Sequence, residues 1–514
     1  MKNLTLILLL FSSLSIFSQE TIVRDANHPE AELHVAINPL DSNNIVVTTQ
    51  HDFGGIFNIT IYYTNDFGNT WDTSNYHGTP SGYNISGDAV LSFDATGNVL
   101  LVNLVVNSSG DVNTILSKSA DGGATWSVVS TIATGSSDKP WIAIDRYSSS
   151  PYLGNIYIPL VENNLNLYTL DNTYQTVNYL IIPNGEHLPS VVVKKDGTVF
   201  TSNVELSSPN NVFVQQYTNG GTNLVHSTQV VSFPDYTFNA PDISLRFQPT
   251  AYLAIDNSGG SHDGRLYLSY TASETVNPDY FNVFITYSDD NGLTWSTPNI
   301  VHSDQQAEVQ QFYSSIYVND NGVVILDWYD RKNFTNTTRM TDFYMGVSND
   351  GGNNFSEIKL NTMPSNFNYV IPSCNSFGIG EYHQLVATNN TALAFWSDGR
   401  TNNSDLNIYM AKVNLANLLS IEEASLVSNK INISSLYPLP ASDVVYSDIE
   451  LKENTRIKYQ VLNNSGQILK NTDWVEYPTG KHKLELKLNL SAGIYFITFT
   501  SDKGYFKTMK FIKL

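Results

Sequence analysis

The chain has 514 residues, enough for two to four compact units or one large repetitive one, and carries 48 acidic against 27 basic residues, a formal net charge of −21. That charge repels the phosphate backbone of a nucleic acid, and the single cysteine, Cys374, excludes an internal disulfide and a thiolate metal cluster. With 41% hydrophobic residues, 30 Tyr, 31 Gly and only 15% charged residues, the composition excludes intrinsic disorder and suits turn-rich β-structure better than helical bundles.

Met1-Lys2, the apolar run from Leu4 through Phe17 and small Ser18 before Gln19 have the layout of a cleaved secretory signal, so residues 1–18 are expected to be removed. The alternative, a retained membrane anchor, is short for a span and is followed by no cysteine for lipidation. No later stretch has the apolar length of a span, and no transmembrane segment is expected in the mature chain.

From there to residue 413 one segment recurs: a hydrophobic strand ending in Asp, Asn or a polar substitute, a turn with Gly, and a second hydrophobic strand. Its copies include Leu33-His-Val-Ala-Ile-Asn38, Pro140-Trp-Ile-Ala-Ile-Asp145 and Ala251-Tyr-Leu-Ala-Ile-Asp256, with end residues at 38, 94, 145, 194, 256, 319 and 388. A second element follows four of these anchors: Thr64-Asn-Asp66-Phe-Gly68-Asn-Thr70-Trp71, Ser119-Ala-Asp121-Gly-Gly123-Ala-Thr125-Trp126, Ser288-Asp-Asp290-Asn-Gly292-Leu-Thr294-Trp295 and Ser348-Asn-Asp350-Gly-Gly352-Asn-Asn354-Phe355. The interval holds the end of one strand, two more strands and a hairpin, so the motif should close the turn between third and fourth strands. There Asp accepts backbone hydrogen bonds, Gly supplies positive φ, and the aromatic packs between units. Seven four-stranded units imply an all-β fold, a seven-bladed β-propeller over residues 19–413. The seventh unit ends at Asn407-Ile-Tyr-Met-Ala-Lys-Val413, and Thr21-Ile-Val-Arg24 is expected to supply its missing outer strand.

Residues 414–435 read as a linker. Residues 436–514 carry 11 Lys and Arg against 8 acidic residues, so the negative charge lies upstream. The period-two pattern at Arg456–Val461, Lys483–Leu490 and Gly493–Phe499 predicts a small C-terminal β-sandwich.

Two resemblances rest on these residues. Tyr437-Pro438-Leu439-Pro440-Ala441-Ser442-Asp443, Gly466, Gly493-Ile-Tyr-Phe496 and the closing Lys510-Phe-Ile-Lys513 resemble the C-terminal sorting domain of type IX secretion, with Leu439 where the family usually has Asn. That implies the type IX machinery as a partner, passage through the periplasm and outer membrane, and release or attachment at the cell surface. The Ser-x-Asp-x-Gly-x-Thr-Trp turns resemble the Asp box, or BNR repeat, of the sialidase superfamily. For Asp66, Trp71, Asp121, Trp126, Asp290, Trp295, Asp350 and Phe355 this implies a structural role.

In a propeller the inner strands begin around a central pit where ligands bind. Six residues before each anchor stand Glu32, Asp88, Lys139, Leu188, Thr250, Tyr313 and Tyr382, with Asp138, His187 and Glu381 one step earlier and Gln311 and His383 close by. Glu32, Asp88, Asp138, Glu381 and Tyr382 are the catalytic candidates, because two carboxyls on either side of a glycosidic bond act as acid and as base or nucleophile. Lys139, His187, Gln311, Tyr313 and His383 are the ligand-binding candidates. Inner-strand polar groups also hold such channels together through water and mutual hydrogen bonds. The sialidase resemblance implies a Tyr–Glu nucleophile, an Asp acid and three arginines on the substrate carboxylate. Here the Arg-Ile-Pro motif is missing, since Arg24 precedes Asp25 and Ala26, and Glu32 stands where a cation is expected. Arg331 and Arg400, in Trp328-Tyr-Asp-Arg331 and Trp396-Ser-Asp-Gly-Arg400, read as structural partners of the adjacent Asp. No cofactor and no metal are expected: no His-Glu-x-x-His spacing occurs, and the loop from Asp256 to Gly264 reads as a turn, with calcium as the alternative. The chain thus reads as an exported propeller that engages extracellular carbohydrate or glycoprotein, binding it or acting as a sialidase-like glycoside hydrolase. The rival is a non-catalytic protein-interaction or adhesion module.

Overall fold

The computed structural model describes residues 19–513 except 25–27, 53–56, 77–78, 186, 235–248, 274–280, 305–308, 335–339, 368–378, 402–405, 420–429, 442, 464–466 and 504–505. The expected signal at 1–18, Cys374, Gly466 and residues 420–429 of the expected linker lie outside the described residues. The chain divides into two compact units, Met1–Leu415 and Ala416–Leu514.

Among the described residues the first unit consists of seven antiparallel sheets: the first five are meanders of four strands hydrogen-bonded in chain order, the sixth adds a fifth short strand, Ser365–Asn366, and the seventh takes its outer strand from the start of the chain. Sheet 1 is Glu30–Ile37, Ile45–Asp52, Phe57–Thr64 and Asp72–Thr73. The inner strands of sheets 2 to 7 are Tyr83–Phe93, Ala143–Ile144, His187–Val193, Ala251–Ile255, Gln311–Val318 and Leu385–Ala387. Each inner strand touches the next, and the seventh touches the first, so the sheets form a closed ring. Inner and second strands are apolar and buried on both faces, as Val99–Asn107 illustrates, whereas fourth strands such as Thr176–Ile181 are largely exposed.

Sheet 7 runs Leu385–Ala387, Thr391–Asp398 and Asn407–Asn414, and its outer strand is Gln19–Arg24, paired with Thr21 opposite Met410 and Ile22 opposite Tyr409. Val23 then joins Leu33, Val35, Val47, Phe395 and Met410 in the core that seals sheet 7 against sheet 1. Arg400 holds this strand through ion pairs to Glu20 and to Asp398 (2.6 Å), with its guanidinium 3.9 Å above the Tyr409 ring. Its near-repeat Arg331 donates to Gln310 Oε1 at 2.6 Å, and Trp328 and Trp396 each donate an indole N–H to the Asp two residues on.

The four motif turns share one bonding pattern. In the turn of sheet 2, Ser119 donates to Asp121 Oδ1 at 2.8 Å and accepts the Gly123 N–H at 2.9 Å, while Asp121 accepts the Thr125 N–H at 2.9 Å and its hydroxyl at 2.6 Å. Asp66, Asp290 and Asp350 repeat it, Asn354 standing in for the threonine. The backbone and hydroxyl bonds from Thr70 and Thr294 lower the carboxyls of Asp66 and Asp290 to about 2. The aromatics dock on the preceding sheet: Trp126 Nε1 donates to Ser74 at 3.1 Å, and Trp71 packs edge-on to Phe395. Gly123 sits at φ 102° with Val46 of sheet 1 only 2.8 Å from where a Cβ would be, so the turn lies flush against its neighbour.

The second unit is a sandwich of two sheets. One contains Ile431–Ile433, Val444–Leu451 and Gly480–Lys487, the other Thr455–Asn463, Gly493–Ser501 and Phe506–Lys513 with two short strands. Their inward residues, among them Ile433, Val445, Ile449, Leu486, Ile497 and Phe499, form its core. Ile431–Ile433, from the stretch read as linker, already belongs to this sandwich.

Candidate functional site: a charged mouth over a plugged channel

The inner strands carry a backbone irregularity at equivalent positions. Glu32, Asp88, Lys139, Leu188 and Tyr313, each six residues before its anchor, have φ of 48°, 46°, 47°, 42° and 48°. In sheets 1, 2, 4 and 6 the pairing register shifts around that residue, the mark of a β-bulge. A left-handed conformation is unfavourable for residues with a Cβ, of order 1–3 kcal/mol each, and a bulge re-aims its side chain.

Lys139 Nζ lies 2.5 Å from Glu381 Oε2, 3.7 Å from Glu32 Oε1 and 3.7 Å from Asp88 Oδ1, so sheets 1, 2, 3 and 7 meet at one ammonium. The Lys139 N–H lies 3.0 Å from Asp138 Oδ1 and 3.3 Å from Asp88 Oδ2, and Asp88 N–H donates to Gln50 Oε1 at 2.8 Å. Glu32 and Glu381 are buried, Lys139 is half-buried, and Asp138, exposed as a residue at the rim, turns its carboxyl inward to the Lys139 N–H, where protein surrounds it.

Burial, opposed by Lys139 and reinforced by the charges of Asp88 and Glu381, pushes the Glu32 carboxyl well above its ordinary value. Burial and then the Asp88 charge push Asp138 up to about 7. Burial also acts to raise Asp88, but the Lys139 ammonium and hydrogen bonds from Asp138, the Lys139 amide and Glu32 hold it below the usual range. Lys139 itself, despite burial, is held well above its ordinary value by Asp88, Glu32, Glu381 and Asp138. The mouth therefore combines the Lys139 ammonium and the Asp88 carboxylate with a Glu32 carboxyl whose burial favours the protonated form and an Asp138 carboxyl poised near neutrality between its two forms.

Beneath the mouth the channel is filled. Trp141 stacks on Tyr252 at 5.1 Å and meets Tyr382 and His34 edge-on at 5.9 and 5.0 Å. The Tyr382 and Tyr252 hydroxyls and Glu32 Oε2 are buried without a hydrogen-bond partner. Tyr382 is pushed well above its ordinary value by burial and then by the charges of Glu32 and Asp88, so the phenol stays protonated.

Two other candidates lie away from the mouth. His383 Nε2 bonds Asp327 at 2.9 Å and packs edge-on to Phe343 and Tyr329, inside the sheet layer. Gln311 is buried and donates to Asp330 at 3.3 Å. Tyr313 lies edge-on to Phe312 at 5.7 Å, and half-buried His187 opens the inner strand of sheet 4. Sequence reasoning missed Trp141, Tyr252 and His34, whose alternation with the mouth residues is a usable signal, and Gly380, whose φ of 91° brings it against Glu32: a Cβ there would lie 2.4 Å from the Glu32 nitrogen. In the loop from Asp256, the carboxyls of Asp256 and Asp263 accept the amides of Ser258 and Gly259 at 2.7 Å each. No group of metal-ligating side chains is assembled among the described residues.

Residues 435–514 match the secretion system C-terminal sorting domain. The tail is a type IX sorting domain. A chain carrying this sorting domain is exported to the cell surface or secreted, and no helix among the described residues is long and apolar enough to cross a membrane. No curated protein matches the chain in sequence. Outside the sorting domain, similar solved structures include a protein of unknown function from Dyadobacter fermentans DSM 18053, at 13% identity over 77% of this chain and 97% of that one (TM-score 0.42). An α-L-arabinanase of Penicillium chrysogenum shows 13% identity over 78% and 98% (0.42), and a Hadza microbial sialidase 15% over 78% and 69% (0.41).

Proposed function

We propose that the chain is an exported seven-bladed β-propeller, with residues 1–18 as its leader and Asp-box turns on the face opposite the mouth, that binds extracellular carbohydrate or glycoprotein where Glu32, Asp88, Asp138, Lys139 and Glu381 meet. The observation that carries this reading is the left-handed bulge: five of seven equivalent positions adopt a disfavoured backbone, and three of them bring charged side chains to one point. A carboxylate and a protonated carboxyl side by side accept from and donate to sugar hydroxyls. Lys139 is engaged by three carboxyl groups, and no other cation at the mouth is present among the described residues for the carboxylate of a sialic acid, which favours a neutral glycan.

The same geometry favours binding over hydrolysis. Asp138 and Asp88 both accept from the Lys139 N–H, at 3.0 and 3.3 Å, and so share one donor instead of standing on either side of a glycosidic bond. Tyr382 is a buried, protonated phenol rather than an activated nucleophile. Incubation of the full chain with a fluorogenic sialoside and with neutral fluorogenic glycosides tests this: no turnover is expected, and turnover abolished by Asp138→Asn would establish a hydrolase.

A further inference from the structure

On the other side of Trp141 the ring opens into a second cavity of about 220 Å³, lined by all seven inner strands. Two residues before the anchors, Ala36, Ser92, Ala143 and Ala254 are small, which leaves the room. By the measure of about 30 Å³ per water, it holds a ligand the size of a monosaccharide or a short peptide end.

Its lining includes the Asp320 carboxylate at the exposed rim and the amides of Asn257, Asn319 and Gln384, and two further groups, His34 and Arg146, present N–H donors. His34 is buried, and its Nδ1 accepts the Leu91 N–H at 3.1 Å. Burial pushes the imidazole down to about 3, so it is neutral and its one proton sits on Nε2, a buried donor that meets no acceptor. Arg146, one residue past the third anchor, also lines the cavity. Tyr147 and Tyr317 flank its guanidinium, and Asp320 draws on it from the exposed rim, yet no described carboxylate lies within ion-pair distance. An imidazole N–H and a guanidinium fork without a carboxylate partner form a site for an anionic oxygen ligand.

We propose that this cavity binds a small carboxylate, held by the Arg146 guanidinium and the Nε2–H of His34, independently of the mouth on the opposite face. A sugar acid and the free C-terminus of a peptide offer the same carboxylate. Calorimetric titration of the full chain with glucuronate and with an N-acetylated dipeptide acid, each against its neutral counterpart (glucose, the dipeptide amide), tests the proposal and separates the two sources. Saturable binding of at least one acid but not of its neutral counterpart is expected, weakened at least about tenfold by Arg146→Gln, less by Arg146→Lys, and unchanged by Asp138→Asn at the mouth. Binding of neither acid, binding that survives Arg146→Gln, or binding lost on Asp138→Asn overturns it. Because Arg146 makes no close ion pair among the described residues and Asp320 is exposed to water, Arg146→Gln is expected to keep the parent melting temperature, which reads folding separately from binding.

Discussion

Lys139 gathers three carboxyl groups onto one ammonium, and Asp138 at the rim responds by keeping its proton to about pH 7. The unfolded carboxyl titrates near 3.8, so between about pH 4 and 7 the folded chain binds the extra proton, and the contribution of Asp138 to stability falls as pH rises through that window. Asp138→Asn keeps a donor toward Asp88 and removes the titration. The melting temperature of the wild type relative to this variant should therefore decline from pH 4 to 7 and level off above; a constant difference would contradict the shifted carboxyl. Gly380 is the other sensitive position. Gly380→Ala puts a methyl into the Glu32 backbone at positive φ and is expected to destabilise the chain by about 2 kcal/mol or more in chemical denaturation.

The motif turns act as elements. Asp121 accepts from Ser119 and from the Thr125 amide and hydroxyl, and Asp121→Ala should cost about 2 kcal/mol, measured by urea denaturation; Asp121→Asn, which keeps one acceptor, should cost less. These turns were legible in the sequence because every partner lies within eight residues, so a short pattern encodes the bonds. The closing strand was legible for a similar reason: Thr21–Arg24 matched a fourth strand missing from an otherwise regular repeat. Counting back from each anchor reached Glu32, Asp88 and Lys139, which the ring brings together, and Tyr382, which lies in the plug beneath them. Direction was not legible. A bulge decides which way a side chain turns, and Glu32, Asp88, Lys139, Leu188 and Tyr313 share no residue type that announces one. His383 and Gln311, adjacent in sequence to mouth positions, face Asp327 and Asp330 within the sheets. The plug was missed because Trp141 and Tyr252 read as ordinary apolar strand residues; their stacking depends on sheets 3 and 5 facing across the channel.

For the whole molecule, the export signal and the proposed ligand site belong to separate units. The sandwich has its own core, and the ring closes on its own N-terminal strand. Deleting residues 435–514 should leave the ring folded but retained inside the cell envelope, read by fractionation; undiminished export would show that another signal suffices. The ring in turn presents two opposite openings separated by Trp141, one carrying acids around a lysine and the other an arginine without a carboxylate partner. The measurement that tests the central claim most directly is a glycan array probed with the full chain and with Lys139→Met and Asp138→Asn. Binding to neutral glycans that both substitutions abolish is the expected result. Binding confined to sialylated glycans, or neutral binding indifferent to both substitutions, would contradict the assignment of the mouth.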